Sequence, residues 1–454
     1  MKIFSFPGQP PRTPLFAAAE KAASILRDAG HKAYFVGGAV RDLLLGRTPD
    51  DVDIATSARP EVIQSLFERS VPIGAAFGII TVVVDDVPLE IATFRAERGY
   101  SDGRRPDHVI YTDNEVLDVT RRDFTVNGLL YDPAANTVLD CVGGLDDLRS
   151  GVLRTIGDPV VRFGEDYLRI LRFVRFAARF GFEPDPAACS AAAKFADKLS
   201  LIAEERIREE LEKILLGPDP AGGFEMLAGL GILKTVLPEV DALRGVEQPK
   251  EFHPEGDVFV HTMLLLRHAA WKTPQVMWSA LLHDVGKPAS KTVKDGVPHF
   301  YGHEVLGADI ARDVLARLRS SSALSDSVVA AVRNHMRFAS VHLMKRAKWM
   351  RIIADANFPV ELELHRLDCM ACHGILDNYV LMLDRLREYS LLPSPAKPYL
   401  TGHDLIRLGV KPGPEFGRIL REAEDLRLEG ELTSRKKALV WLRARVGHMN
   451  QIWG

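Results

Sequence analysis

Features typical of secreted and membrane proteins are scarce in this sequence. Its 454 residues include only four cysteines, too few for a disulfide framework, which favours a reducing compartment. No apolar run reaches the length of a membrane span, and the N-terminal stretch MKIFSFPGQPPRTPL lacks the apolar core of a signal peptide. We therefore expect a cytoplasmic protein with no membrane partner.

A strong excess of charge of one sign is also lacking. The formal net charge is −3 at pH 7, which excludes a globally basic chain but not a local basic groove. Hydrophobic residues make up 46% of the sequence, and a chain of this length allows roughly three domains. We expect a multidomain globular protein.

One cysteine pair raises the question of a haem. The stretch CMACH, Cys369 to His373, matches the C-x-x-C-H pattern of c-type haem attachment. It lies within ELELHRLDCMACHGILDNYVLMLDRL, whose apolar spacing predicts a single helix. We interpret both cysteines as packed helix residues and expect no haem.

The N-terminal region alternates helices and strands. A helix is predicted to begin after Thr13 and to end at Gly30, followed by a strand at 33–36. The stretch DVDIAT predicts a second strand, and IITVVVD and VPLEIATF predict a hairpin. This mixed region extends to about Asp140.

The remainder is predicted to be mainly helical. Breaks at GPDPAGG and at LLPSPAKPYL indicate domain boundaries. The predicted class is α+β, with a small mixed-sheet head followed by a mainly α-helical body and tail. The predicted domains are 1–150, 151–217, 218–390 and 391–454.

The stretch AYFVGGAVRDLLLGRTPDDVDIAT carries a chemical pattern. Gly37 and Gly38 follow a strand, so the backbone and the next helix N-terminus can approach a phosphate, and Arg41 adds a positive charge. Asp51 and Asp53 are two apart on the predicted strand and share a face, a spacing that suits Mg²⁺. The alternative is a polar turn with solvated carboxylates.

The same motifs resemble a known family. The Gly-Gly-x-Val-Arg-Asp loop followed by D-x-D resembles the class II tRNA nucleotidyltransferases, the CCA-adding enzymes, and the related bacterial poly(A) polymerases. RRDFTVNGLLYD is similar to the family's ribose-binding segment, which implies that Arg122 and Asp123 contact the nucleotide. EDYLRILRFVRFAARFGF carries the E-D-x-x-R signature. The matched nucleotide-contacting positions there are Asp166, Arg169, Arg172 and Arg175.

The E-D-x-x-R motif has a chemistry that can be argued from the bases themselves. Cytosine and adenine each present an amino donor beside an unprotonated ring nitrogen, whereas uracil and guanine present the reverse pattern. Asp166 can accept from the amino group and Arg169 can donate to the ring nitrogen. On one helix, at i and i+3, the two side chains can point the same way. The alternative is an intrahelical salt bridge.

A second set of motifs lies in the helical part. HTMLLLRHA, WSALLHDVGKP and HRLDCMA resemble the HD-domain phosphohydrolases, which implies a divalent metal of open identity on four ligands. These are His261, His283, Asp284 and Asp368. His303 and His335 either extend this site or are structural. Glu90 is either a third metal-facing carboxylate of the head or an edge-facing side chain.

The resemblance implies a function. The enzyme would add CCA to tRNA from CTP and ATP without a template, with Mg²⁺ at the transferase site and tRNA contacts from the C-terminal tail. The segment from Arg95 to Arg105 is predicted to be a mobile loop, and its full length favours complete CCA addition. The alternatives are a poly(A) polymerase, a partial CC- or A-adding enzyme, or an HD phosphohydrolase with a regulatory nucleotide-binding domain.

Overall fold

The computed structural model describes residues 1–8, 10–72, 78–99, 108–249, 251, 253–391 and 398–453. The chain forms two compact units. The first comprises Met1–Asp241 with Arg317–Arg319, and the second comprises Ala242–Ala316 with Ser320–Gly454. Within the described residues, no helix is both long enough and apolar enough to cross a membrane.

Strands are concentrated in the first 140 residues of the first unit. They are β1 (Lys2–Ser5), β2 (Ala33–Val36), β3 (Asp53–Thr56), β4 (Ser70–Val71), β5 (Ile79–Val84), β6 (Val87–Thr93), β7 (Arg95–Arg98), β8 (His108–Tyr111), β9 (Leu129–Asp132) and β10 (Thr137–Asp140), with β11 (Val152–Leu153) and β12 (Glu183–Pro184) beyond. Eight of them form one mixed sheet in the order β1-β10-β9-β2-β3-β6-β5-β4. Strand β3 lies at its centre, antiparallel to β2 and parallel to β6.

The helices of the first unit pack on this sheet and continue beyond it. They are α1 (Pro14–Asp28), α2 (Gly38–Leu44), α3 (Pro60–Leu66), α4 (Glu115–Thr120), α5 (Gly144–Ser150), α6 (Pro159–Glu165), α7 (Leu168–Phe180), α8 (Pro186–Lys194), α9 (Glu204–Leu215), α10 (Pro220–Gly229), α11 (Leu233–Val236) and α12 (Pro238–Asp241), with 3₁₀ turns at Thr125–Asn127 and Ala196–Leu201. A mixed-sheet head followed by helices agrees with the predicted α+β class.

Local sequence signals account for the first elements. The Thr13 hydroxyl accepts a hydrogen bond from the Phe16 amide at the start of α1, and Gly30 follows the helix with φ +84°. Asp85 and Asp86 adopt φ +50° and +61° between β5 and β6, as a tight hairpin turn requires. The predicted helix bounds and hairpin are confirmed.

One prediction in the first unit is wrong in detail. Part of the predicted mobile loop is the strand β7, which pairs with β8, while residues 100–107 lie outside the described part of the chain. The division between the two compact units follows Asp241, and the GPDPAGG stretch lies within the first unit. A Cβ on Gly223 would lie 2.5 Å from the Ile214 side chain, so this glycine lets α10 pack closely on α9.

The described residues of the second unit form helices and one short hairpin. Its elements are α13 (Val258–His268), α14 (Pro274–Leu282), α15 (Lys287–Ser290), β13 (Thr292–Lys294), β14 (Val297–His299), α16 (His303–Arg317), α17 (Ser322–Asn334), α18 (Arg346–Ala354), α19 (Phe358–Ala371), α20 (Asp377–Leu391), α21 (Gly402–Arg407), α22 (Pro414–Leu428) and α23 (Arg435–Trp453), with a 3₁₀ segment at His335–Leu343. The single helix predicted around CMACH is two helices, because Gly374 adopts φ +70° between α19 and α20.

The last three helices have an apolar core of their own. It is built from Leu400, Leu405, Ile419, Ala423, Leu432, Ala438, Leu442 and Val446. This cluster follows the predicted tail boundary at LLPSPAKPYL, of which residues 392–397 lie outside the described part of the chain.

Candidate active site and metal centre

All eleven head and neck residues predicted from the motifs line one cleft of about 970 Å³ in the first unit. We call it the arginine cleft, because nine arginines and seven carboxylates are among its described lining residues. The predicted residues are Gly37, Gly38, Arg41, Asp51, Asp53, Arg122, Asp123, Asp166, Arg169, Arg172 and Arg175. Motifs far apart in sequence therefore converge on a single space.

The glycine loop forms one wall of the arginine cleft. Gly37 caps α2 with φ +67°, a conformation that other residues rarely adopt, and Gly38 begins the helix. A Cβ on Gly37 would lie 3.7 Å from the Arg122 guanidinium. The loop therefore places backbone and a guanidinium side by side, a combination that can bind phosphate oxygens.

Arg41 is more enclosed than its motif suggests. Its guanidinium donates to Asp42 at 2.9 Å and to Asn127 at 2.5 Å, and it lies 4.4 Å from the centre of the Phe180 ring. Burial lowers the pKa of Arg41, partly offset by Asp42. Since its donors are largely engaged, Arg41 links α2 to α7 and leaves little of its fork free for a ligand.

The metal-type carboxylates lie at the N-terminal end of β3. Asp53 is the first residue of the strand and Asp51 precedes it, so the expectation that both lie on the strand is wrong. Ile54 pairs with Ile91 in parallel register, which brings Glu90 beside Asp53. Burial, with the charges of Asp51 and Glu90, raises the pKa of Asp53 to about 6.

These carboxylates suit a cation. Within the described residues, Asp51, Asp53 and Glu90 have no hydrogen-bond donor or ion-pair partner. Such crowding of unpartnered negative charge is unfavourable unless a positive ion or a proton is bound. Glu90, which the sequence left open, is thus placed where it can act with Asp53.

A buried chain of polar contacts connects the glycine helix to α7. The Asn127 amide accepts from Arg41 and donates to Asp123 at 3.1 Å, and Asp123 accepts from Arg172 at 2.6 Å. Burial alone would raise the pKa of Asp123, but Arg172 and these hydrogen bonds outweigh it and lower the pKa. Arg172 is therefore held in a fixed orientation at the cleft.

The E-D-x-x-R motif does not lie on one helix. Helix α6 ends at Glu165, Asp166 is extended with φ −146° and ψ 105°, and α7 begins at Leu168. The Asp166 carboxylate accepts from the Leu168 amide at 3.1 Å instead of bonding Arg169. The expected helical i, i+3 geometry is wrong, although both side chains line the arginine cleft.

Arg169 is oriented by three acceptors. It donates to Glu165 at 2.6 Å, to the Arg162 carbonyl at 2.9 Å and to the Arg121 carbonyl at 3.0 Å. The ion pair within this motif is thus Glu165–Arg169, which joins the end of α6 to α7, and the Asp166 carboxylate does not bond Arg169. Burial raises the pKa of Asp166, partly countered by Arg206 at 3.7 Å.

Several residues in and around the arginine cleft were not predicted. Arg206, on α9, lines the cleft beside Asp166, and Glu210, also on α9, accepts from Arg175 at 2.6 Å through its buried carboxylate. Asn127 lies in RRDFTVNGLLYD, but the motif gives it no role. The α9 segment EERIREELEKIL contains more charged residues than a solvent-facing side of a helix needs. This excess was the sequence signal available for Arg206 and Glu210.

A second group of ionisable side chains lies in the second unit. We call it the histidine centre, and its members are His261, His283, Asp284, His303, His335 and Asp368. All four predicted ligands are present, and the two histidines left open join them. They come from α13, the end of α14, the start of α16, the 3₁₀ segment after α17, and α19.

The turn after α14 depends on a glycine. A Cβ on Gly286 would lie 2.2 Å from the His303 carbonyl and 2.6 Å from the Gly307 amide. Only a residue without a side chain allows α16 to approach the His283–Asp284 turn this closely. This contact brings His303 next to Asp284, at 3.4 Å.

The histidines are held by the same local bond. The Nδ1 atoms of His283, His303 and His335 lie 2.9, 2.8 and 2.6 Å from the carbonyl three residues earlier. Donation from Nδ1 leaves the lone pair on Nε2, the arrangement of a metal-binding imidazole. The Nε2 atoms of His303 and His335 are only 3.1 Å apart, and two facing lone pairs require a cation or proton between them.

Asp284 lies between two ligand triads. Its Oδ2 is 3.0 Å from His283 Nε2, on the side of His261 and Asp368, and its Oδ1 faces His303 and His335. The Lys287 ammonium is 2.7 Å from Oδ2. The donor set, imidazole nitrogens with two carboxylates, suits a divalent metal on each side of Asp284.

The pKa shifts reflect this crowding. Burial alone would lower the pKa of His261, but hydrogen bonds to Asp368 and Glu255 raise it to about 9. Burial and the neighbouring His283 lower the pKa of His335 to about 4. Burial opposes the ionisation of Asp368, yet His261 holds its pKa below the usual range. The histidine centre thus contains one imidazole with a raised pKa, His261, and one with a lowered pKa, His335.

Two supporting residues were not predicted. The Glu255 carboxylate is 2.8 Å from His261 Nδ1, opposite the nitrogen that faces Asp368. The Lys287 ammonium donates to Gln248 at 2.5 Å. Lys287 belongs to the quoted motif WSALLHDVGKP, whereas Glu255 and Gln248 precede α13 in a stretch without periodicity.

The cysteines of CMACH flank this centre. Cys369 is buried with its sulfur 3.7 Å from His365, and the Cys372 thiol donates to the Asp368 carbonyl at 3.1 Å. Burial raises the pKa of Cys369 to about 12 and that of Cys372 to about 11. Cys369 is thus a packed helix thiol as predicted, whereas Cys372 follows the last residue of α19 and is only partly buried, so the prediction that both lie in a helix is wrong for Cys372.

Comparisons with known protein families cover these regions. Residues 33–154 match the family model described as the poly A polymerase head domain, and residues 181–243 match a probable RNA and SrmB-binding site of polymerase A. Residues 258–357 match the HD domain. The fold and the two sites therefore define a nucleotidyltransferase with an additional HD domain.

Curated relatives extend over almost the whole chain. The CCA-adding enzyme of Leuconostoc mesenteroides is 32% identical over 97% of this chain and 97% of that relative, and the one from Lactobacillus johnsonii is 31% identical over 94% and 96%. The CCA-adding enzyme of Bacillus stearothermophilus, solved in complex with CTP, has a TM-score of 0.74 at 26% identity, covering 97% and 99%. The chain belongs to the family of CCA-adding enzymes.

Proposed function

We propose that this chain adds the sequence CCA to the 3′ end of tRNA from CTP and ATP, without a nucleic-acid template and with release of pyrophosphate. The observation that supports this most directly is the convergence of the glycine loop, the β3 carboxylates and the Asp166–Arg169 motif on the arginine cleft. Its full-length relatives are named as CCA-adding enzymes. Such an enzyme works on cytoplasmic tRNA.

The triphosphate end of the nucleotide is assigned to the head. Backbone amides after Gly37 and the Arg122 guanidinium would bind phosphate oxygens. Asp51 and Asp53, with Glu90 beside them, would hold Mg²⁺, which when bound helps to activate the 3′ hydroxyl and to stabilise the pyrophosphate. Asp123 holds Arg172 in one orientation in the same cleft, so the nucleotide would meet a preset arrangement of charge.

The base is assigned to the start of α7. The Asp166 carboxylate, held by the Leu168 amide, would accept from the amino group of cytosine or adenine. Arg169, held by Glu165 and two carbonyls, would donate to the ring nitrogen. Because a wrong base leaves both groups unpaired, protein side chains alone could exclude UTP and GTP. The tRNA would be recognised by shape and backbone, with contacts from the C-terminal tail.

Sequencing of reaction products tests this proposal. A tRNA transcript lacking CCA is incubated with CTP, ATP and Mg²⁺, and the 3′ ends are sequenced. Uniform CCA ends are expected. Long adenosine tails would instead identify a poly(A) polymerase, ends with CC or A alone would identify a partial enzyme, and no extension would leave the head as a regulatory nucleotide-binding domain.

We propose a second function for the histidine centre, metal-dependent phosphoester hydrolysis. The supporting observation is the pair of ligand triads on either side of Asp284. His261, His283 and Asp368 would hold one divalent metal and Asp284, His303 and His335 a second, and bound metals supply an activated water and charge neutralisation at phosphorus. Lys287, buried beside Asp284, adds a fixed positive charge at the same place.

A phosphatase assay with defined metals tests this function. The purified protein is treated with a chelator, reloaded with Mg²⁺, Mn²⁺, Co²⁺ or Ni²⁺, and offered adenosine 2′,3′-cyclic phosphate, adenosine monophosphates and p-nitrophenyl phosphate. Hydrolysis that requires metal and is lost in His303→Ala is expected. Absence of hydrolysis with every metal would contradict the proposed activity.

A further inference from the structure

An exposed aromatic pair follows the hairpin of the second unit. Tyr301 is 80% exposed, unusually high for so large a ring, and it lies directly after β14. Its ring stacks on that of His299 at a centroid distance of 5.4 Å with an interplanar angle of 8°. One face of Tyr301 is thus supported by a parallel ring while the side chain remains largely in solvent.

This pair belongs to the wall of a cavity that reaches the histidine centre. The cavity has a volume of about 710 Å³, within the range of small-molecule sites, and Tyr301 and His299 line it together with Asp284, His303 and Asp368. A single bound molecule can therefore contact the aromatic pair and the ligand set at once.

The cavity lining has two chemical characters. Around Asp284 lie the imidazoles and the Lys287 ammonium, which suit a phosphate group. Elsewhere the lining includes exposed apolar side chains, among them Tyr301, Met336 and Ile375. A ligand with a flat apolar ring at one end and a phosphoester at the other satisfies both.

We propose that Tyr301, supported by His299, is a base-stacking platform by which the histidine centre selects nucleotides over other phosphoesters. This inference rests on the hydrolase function proposed above. Water would add to phosphorus while one P–O bond to the ribose breaks, and the ribose oxygen takes up a proton from the water. Stacking on Tyr301 contributes to binding of the base and leaves this step unchanged.

The test compares ligands with and without a base. KM is measured for adenosine 2′,3′-cyclic phosphate and for 1-O-methylribose 2,3-cyclic phosphate in wild type, Tyr301→Ala and Tyr301→Phe. Loss of base stacking is expected to raise the nucleotide KM about five- to 150-fold in Tyr301→Ala, with kcat nearly constant. Tyr301→Phe should retain the wild-type KM. Val293→Ala, which shortens another exposed side chain, 65% exposed and on the neighbouring strand β13, is the control.

A binding measurement separates this inference from the hydrolase proposal. Adenosine 3′-phosphate is titrated calorimetrically into each variant with saturating CTP present, so that the arginine cleft is occupied. Weaker binding in Tyr301→Ala than in Val293→Ala supports the platform even if no variant hydrolyses a phosphoester. Equal binding in all variants, or a base-free ester hydrolysed with the nucleotide's KM, would overturn it.

Discussion

In the arginine cleft, side chains of one charge are oriented by partners of the other, and Arg172, held by Asp123, keeps 35% of its side chain exposed. In the histidine centre the four imidazoles and Asp284 are buried, Asp368 is partly exposed, and three imidazoles are fixed by backbone carbonyls. The first arrangement suits a large charged substrate that enters and leaves. The second suits a small ion that stays, because its ligands are preset and mostly buried.

The carboxylates make the same contrast. The pKa of Asp53 is raised to about 6, and Asp53 has no hydrogen-bond or ion-pair partner among the described residues. A bound cation would compensate its charge. Asp284 has His283 and Lys287 beside it, and despite complete burial its pKa is well below the usual range. In the arginine cleft the repulsion around Asp53 is not compensated by the protein. In the histidine centre neighbouring positive groups of the protein compensate the charge of Asp284.

The largest expected effect removes the metal carboxylates of the arginine cleft. Asp51→Ala and Asp53→Ala should each reduce nucleotide incorporation by at least about a thousandfold, since positioning and charge stabilisation supply most of the catalysis in phosphoryl transfer. Binding of tRNA should stay nearly intact. Incorporation of labelled CTP and a filter-binding assay measure the two quantities.

Glu68→Ala is the matched control, because Glu68 is an exposed carboxylate of the same unit outside the cleft lining. It should incorporate CTP at the wild-type rate. Incorporation by Asp53→Ala comparable to this control at saturating Mg²⁺ would show that the β3 carboxylates hold no catalytic metal.

The second prediction separates the two sites. Replacing both His283 and Asp284 by Ala should abolish metal binding and hydrolysis at the histidine centre, while CCA addition continues at a similar rate. All metal-type residues of the arginine cleft lie in the first compact unit, so they do not need the second for their ligands.

Some loss of stability is expected in this double variant, because both side chains are about 1% exposed and their removal leaves a cavity. Circular dichroism must first show a folded protein. If nucleotide addition collapses together with hydrolysis in the folded variant, the proposed independence of the sites is wrong.

Local sequence signals were sufficient for several elements of the head, and the motifs, taken with the family resemblance, supplied the predicted residues of the cleft. Caps, turn residues and apolar spacing act within a few residues, so Thr13 and the Asp85–Asp86 turn were predictable. The helix break at Asp166 was not, because apolar spacing continues on both sides of it. After the break Arg169 donates to the distant Arg121 carbonyl, a tertiary contact that local spacing does not indicate.

Partners supplied by distant elements were also beyond the sequence. Nothing near Arg41 indicates that Asn127 would occupy its donors, and nothing near His261 indicates Glu255 behind it. His303 and His335 were left open between a metal-binding and a structural role, because their convergence depends on the packing of separate helices. Motifs therefore located the reactive groups, whereas folding selected the groups that orient them.

The third prediction concerns base selection in the arginine cleft. Asp166→Ala should lose discrimination against UTP and GTP by about 5- to 150-fold, the equivalent of about 1 to 3 kcal/mol for an unpaired buried group. Triphosphate affinity should change less, because the phosphates are assigned to the glycine loop. The relative kcat/KM of the four nucleotides measures this.

Arg169→Ala tests the second residue assigned to base selection. It removes three structural hydrogen bonds as well as the base contact, so it should lower overall activity and stability in addition to selectivity. An unchanged nucleotide ranking in Asp166→Ala would assign base reading to other residues of the arginine cleft.

The fourth prediction tests the support of the histidine centre. Glu255→Gln should weaken metal binding about 10- to 100-fold, the usual effect of removing a carboxylate that orients a metal-binding histidine. Calorimetric titration of Mn²⁺ into chelator-treated protein gives the affinity. Asp313→Asn, an exposed carboxylate on α16, serves as the control. Wild-type affinity in Glu255→Gln would mean that His261 needs no such partner.

The smallest expected effect concerns stability at the arginine cleft. The pKa of Asp53 is about 6 in the folded protein and 3.8 as its ordinary value, so ionisation disfavours the folded state. The cost is absent well below pH 4, grows as the pH rises from 4 to 6, and is constant above about 7. Asp53→Asn removes the ionisable carboxyl and with it this cost in folding free energy. The substitution should therefore stabilise the metal-free protein most at neutral and alkaline pH. A shift of about two pKa units corresponds to an upper limit of about 3 kcal/mol, and partial solvent exposure reduces the expected gain in stability to about 1 to 2 kcal/mol.

Thermal unfolding of the chelator-treated protein between pH 5 and 8 measures this gain in stability, with Glu68→Gln as the control. Because Mg²⁺ neutralises the same repulsion in wild type, adding it should narrow the difference. A gain that is equal at every pH, or that persists in full with Mg²⁺, would show that the cluster around Asp53 is not held ready for a cation.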